Sequence, residues 1–93
     1  PTPSSPSVIS FLLSQLSSKN GWLAEHLLVE LREQSFQSVL NVLWRSPDRE
    51  DIARIVDRMD PDRAFITPHL PAMLSSSDER LRLRALDFMA SSQ

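Results

Sequence analysis

The chain predicts an all-α fold, and three observations carry that expectation. Apolar residues recur every three or four positions along most of its 93 residues instead of alternating. A capping residue followed by proline, the signature of a helix start, occurs at Ser5-Pro6, Ser46-Pro47, Asp60-Pro61 and Thr67-Pro68. No segment joins period-two alternation to β-branched residues as a strand requires. Residues 1–5, PTPSS, carry no apolar side chain and read as a flexible tail or linker, leaving 6–93 as a single domain of five to six short helices.

Taken in order, Val8, Ile9, Leu12, Leu13 and Leu16 form the stripe of a first helix that Lys19-Asn20-Gly21 breaks. A second helix begins near Trp22, carries Leu23, Leu27, Leu28 and Leu31 inward, and ends near Gln34. Ser35 caps a third, with Phe36, Val39, Leu40, Leu43 and Trp44 as its apolar face. The fourth starts at Ser46-Pro47, and Ile52, Ile55, Val56 and Met59 make it the cleanest amphipathic segment. Pro68 and Pro71 each remove a backbone donor, so a turn near 62–66 leads into only a short helix to Leu74. Ser76 and Glu79 match a capping box for the last helix, which runs to about Ala90.

Composition narrows the function classes. Ten basic against twelve acidic residues give a net charge of -2, which lacks the basic footprint of a nucleic-acid binder. The absence of cysteine excludes disulfides and thiolate chemistry, and a single glycine excludes glycine-rich phosphate loops. No apolar run reaches the roughly 18 residues of a membrane span. The start at Pro1 reads as a piece cut from a longer polypeptide.

Leu16-Ser17-Ser18 with Leu23, and Leu74-Ser75-Ser76 with Leu81, repeat one pattern 58 residues apart. Two units of about 29 residues fit that distance, so three antiparallel helical hairpins are expected at about 6–34, 35–59 and 61–91. The third resembles the HEAT repeat family, through Leu70-Pro71-Ala72-Met73-Leu74 and then Asp78, Leu81, Arg82, Ala85 and Phe88. That resemblance implies a superhelical stack in which Asp78 and Arg82 are structural residues that pair between units. A closed six-helix bundle of death-fold type is the alternative architecture, separated from the stack by whether the first and last helices meet.

Candidate sites are few. His26, Glu30 and Glu33 share a helical spacing that suits a metal, yet a solvated polar face explains them without a further ligand. His69 sits in a proline-rich turn. Arg45 to Arg63 is dense in alternating charge, with Glu50 and Arg54 spaced for an i,i+4 pair, and Arg49, Arg54, Asp57 and Arg58 are the candidate partner-binding residues of that face. Arg80, Arg82 and Arg84 do not share one face, which argues against a phosphate-backbone surface. Trp22 and Trp44, at a helix start and a helix end, are the aromatics expected to stay partly exposed and to serve as binding hot spots. Thr2-Pro3 and Ser5-Pro6 are candidate phosphorylation sites in the tail.

No nucleophile, base and oxyanion donor can be assembled from these residues, and nothing calls for a cofactor. The expectation is a non-catalytic protein-protein interaction module, part of a larger intracellular scaffold or regulatory subunit in cytoplasm or nucleus, that binds a peptide or an amphipathic helix. Two alternatives stand beside it: a homotypic self-associating bundle and a nucleic-acid backbone binder. Apolar cover on the first helix further predicts that the isolated piece dimerises.

Overall fold

In a computed structural model, which describes residues 6–91, the helical periodicity becomes six α-helices and one 3-10 turn, with no strand among the described residues. They are α1 (Pro6–Ser14), α2 (Gly21–Leu31), α3 (Glu33–Arg45), α4 (Glu50–Met59), α5 (Leu70–Leu74) and α6 (Glu79–Ala90), with the 3-10 turn Thr67–His69 leading directly into α5. The Ser5 cap, the tail and its phosphorylation candidates lie outside the described residues.

Packing follows chain order. Helix α1 lies against α2 and α3, α2 against α3 and α4, α3 against α4, and α5 against α6. The principal extents are 36 × 22 × 20 Å. One apolar core runs through all of these contacts, from Ile9 and Leu28 through Leu40, Leu43, Ile52 and Ile55 to Met73, Leu81, Ala85 and Phe88. Gly21 opens α2 where a Cβ would meet the Leu16 carbonyl oxygen at 2.2 Å, so only glycine allows the α1–α2 turn to close this tightly.

Several helix ends differ from the sequence expectation, each for a local reason. Helix α2 stops at Leu31 because Arg32 turns the chain with φ 48°, and α3 resumes at Glu33. Ser35 is therefore a buried residue within α3 instead of its cap; its hydroxyl donates to the Leu28 carbonyl at 2.8 Å and ties the two helices together. Ser46-Pro47 is a turn rather than a helix start, since Arg49 at the head of α4 is extended and the Pro47 carbonyl is taken by Arg84 Nε at 3.0 Å. Asp60-Pro61 likewise ends α4 instead of beginning a helix. In place of the Ser76–Glu79 box, Asp78 caps α6 by accepting the Arg80 N–H at 2.9 Å, and Ser76 Oγ accepts the Asp78 N–H at 3.0 Å.

Two polar residues inside the core fix the link between α4 and α6. The buried Asp60 carboxylate accepts the Phe65 and Ile66 amides at 3.0 and 2.8 Å, which folds the proline turn back on itself. Arg63 has a left-handed φ of 59° and is also buried. Its guanidinium donates to the Phe88 carbonyl at 3.1 Å and to Ser91 Oγ, pairs with Asp57 at 2.7 Å, and lies over the Phe88 ring. A cation at the C-terminal carbonyls of α6 is also favoured by the helix dipole.

Candidate functional site

The charged band on α4 was the face expected to meet a partner, and its side chains are engaged within the chain. Arg54 and Arg58 both reach across to Glu25 on α2, with Nη2–Oε1 and Nη1–Oε2 distances of 2.8 and 2.6 Å. Glu50 pairs with Arg84 of α6 at 3.0 Å, so the expected Glu50–Arg54 pair is replaced by two interhelical ones. Asp57 holds Arg63, and Arg49 clasps Asp51 at 2.6 Å. Thus Arg54, Asp57 and Arg58 brace α4 against its surroundings, while Arg49 closes on the first turn of α4 itself. Glu25, which no motif or spacing in the sequence singles out, is the hub of this brace. Glu25 lies 29 residues before Arg54, and the two meet only through the packing of α2 on α4.

The Arg54 hydrogen bonds, helped by Arg58, hold the Glu25 carboxyl below its ordinary value of 4.5 against the opposing effect of burial. A depressed carboxylate contributes stability that is complete above the unfolded value and is lost as pH falls through the folded one. Glu25→Gln is expected to lower stability at pH 7 by about 1 kcal/mol. It should also weaken the acid-induced loss of stability below 4.5, as urea unfolding across pH 2 to 7 measures. An unchanged acid limb would remove Glu25 from this role.

Exposed apolar surface supplies the other candidate. Trp22 is 73% exposed and Trp44 37%, so both reach solvent as the sequence suggested. Leu23 and Leu27 carry the spacing of core residues, yet each is 41% exposed, and Phe11 beside them on α1 is 61% exposed. The reason lies in α2, whose inward face is Ala24, Leu28 and Val29; the helix is apolar over more of its circumference than one packing face can bury. Between α1 and α2 this leaves a groove of two adjoining cavities, about 260 and 170 Å3, that share Leu12 and Leu27. Val8, Phe11, Leu23, Ala24 and Leu31 complete its walls, while Gln15, Asn20 and Glu30 form a polar rim. A second apolar surface is the outer row of α6, where Leu83 and Leu86 are 52% and 51% exposed.

The remaining candidates are not brought together. His26 and Glu30 are exposed on α2, while Glu33 lies beyond the Arg32 turn; no group of three or more potential ligands that could hold a metal occurs among the described residues. His69 packs its ring 6.1 Å from that of Phe36. Asp78 pairs with Arg80, and Arg82 donates to the Ser76 carbonyl at 2.8 Å, so within this chain the two residues named by the repeat pattern hold the start of α6 and the loop before it. A polar cleft of about 360 Å3 between α4 and α6 is lined by Arg54, Arg84, Glu50, Asp57 and Asp87, whose opposite charges largely offset one another. No described helix is long and apolar enough to cross a membrane. No family model, curated protein or solved structure matches the chain.

Proposed function

We propose that the chain is a non-catalytic interaction module, a HEAT-like stack of three helical hairpins within an intracellular scaffold, that receives an amphipathic helix of a protein partner. The observation that carries this reading is the α1/α2 groove, an apolar cleft with a thin polar rim left open between two otherwise packed helices. Such a cleft suits side chains projecting at i, i+3, i+4 and i+7 from a partner helix. The order of helix packing, α1 on α3 and α2 on α4, supports the stacked arrangement, because it repeats between the first two hairpins the side-by-side contact a stack requires. Recognition is transferred from the charged band on α4, whose ions hold the fold, to the apolar groove.

A display library of amphipathic helical peptides, selected on the immobilised chain, tests the proposal. Selected peptides are expected to bind with dissociation constants near or below about 10 μM and to weaken more than about tenfold against Leu27→Glu. Thermal unfolding of that variant should stay within about 0.5 kcal/mol of wild type, since Leu27 is already half exposed. Selection that returns no binder, or binders indifferent to Leu27→Glu, would overturn it.

A further inference from the structure

The interaction-module reading leaves the occupant of the groove open, and resting on that reading we infer that it is α6 of a second copy, docked end to end. Three features of the chain argue for this. Leu83, Leu86 and Ala90 stand at i, i+3 and i+7 on the exposed side of α6, opposite its buried Leu81, Ala85 and Phe88. From Leu83 to Ala90 that row spans about 10 Å, and the groove wall from Leu23 to Leu31 spans about 12 Å, at 1.5 Å per helical residue. The rim charge of the groove is Glu30 near the C-terminal end of α2, and beside the α6 row stands Arg82, whose guanidinium is anchored to the Ser76 carbonyl.

Placing Arg82 near Glu30 runs the docked α6 antiparallel to α2, an orientation that also sets its positive helix end beside the negative end of α2. The row cannot fill the groove of its own molecule. Helix α4 ion-pairs with α2 through Arg54 and Arg58 and with α6 through Glu50, and so stands between them. A groove that meets a different surface on the next copy makes a heterologous contact, which extends into open chains instead of closing as a symmetric dimer.

Sedimentation velocity on the full chain over micromolar to millimolar concentrations reads this directly. Wild type is expected to grow through dimer to longer species, and Leu27→Glu and Leu86→Glu are each expected to weaken association more than about tenfold. Mixing the two variants is the decisive arm, because one retains an intact row and the other an intact groove. The mixture should form a heterodimer limited to one copy of each, with far-ultraviolet circular dichroism confirming that both variants are folded. A monomeric wild type, association unaffected by either variant, or a mixture that stays monomeric would overturn the inference. If the copies fail to associate while library peptides still require Leu27, the second-copy occupant falls and the interaction-module reading stands.

Discussion

Arg63→Met is expected to lower the stability of the chain by about 3 kcal/mol, and with it the melting temperature by roughly 15 °C. The substitution keeps the apolar stem and removes the guanidinium. That group is only 7% exposed as a residue, and it serves the Phe88 carbonyl, Ser91 Oγ and the Asp57 carboxylate at once. Its loss strands acceptors at the C-terminal end of α6 and removes the cation over the Phe88 ring. Methionine inherits the left-handed φ of 59° without relief, so backbone conformation does not soften the effect. Arg63→Lys should recover less than half of the loss, because an ammonium lacks the planar fork that reaches several acceptors together. Hydrogen exchange in α6 should accelerate more than in α3. A melting shift below about 5 °C would mean that α6 is docked by its apolar face alone.

Asp60→Ala is expected to cost about 3 kcal/mol by a different route. The carboxylate is 2% exposed and receives two backbone amides, Phe65 and Ile66, that have been drawn out of water with it. Each buried donor left unsatisfied costs about 1–3 kcal/mol. Asp60→Asn should fall between alanine and wild type, since its one carbonyl oxygen can accept one of the two amides well while its NH2 meets another donor. Equilibrium urea unfolding of the three proteins checks the ladder. Equal loss for both variants would show that the charge, and not the number of acceptors, matters at this turn.

These two residues also show where the sequence stops being readable. The helices themselves follow from local spacing: Ile52, Ile55, Val56 and Met59 predict the buried face of α4, and all four are fully buried. Helix ends do not follow from local spacing, because Ser46-Pro47 and Asp60-Pro61 carry the chemistry of a helix start and are used as turns. Nothing local distinguishes the two uses. What decides is a distant group, Arg84 on the Pro47 carbonyl in one case and the Phe65 and Ile66 amides on Asp60 in the other. The same holds for the α4 charges. An i,i+4 rule pairs Glu50 with Arg54, whereas packing brings Glu25 and Arg84 closer.

The groove was hidden for a related reason. Leu23 and Leu27 have the spacing of core residues, and only the rotation of α2 that buries Ala24, Leu28 and Val29 turns them toward solvent. A sequence pattern reports that a helix is apolar, but which side meets its neighbours is settled by all the helices together. The excess of apolar residues around α2 was the one available sign.

The central claim is that recognition belongs to the α1/α2 groove and not to the charged band of α4. Chemical-shift mapping of the labelled chain during titration with a library-selected helical peptide tests it most directly. The account predicts the largest changes at the methyl groups of Val8, Leu12, Leu23, Leu27 and Leu31, with Arg49, Arg54, Asp57 and Arg58 nearly unmoved. Changes concentrated at those four charged residues or at Trp44, with a silent groove, would contradict it.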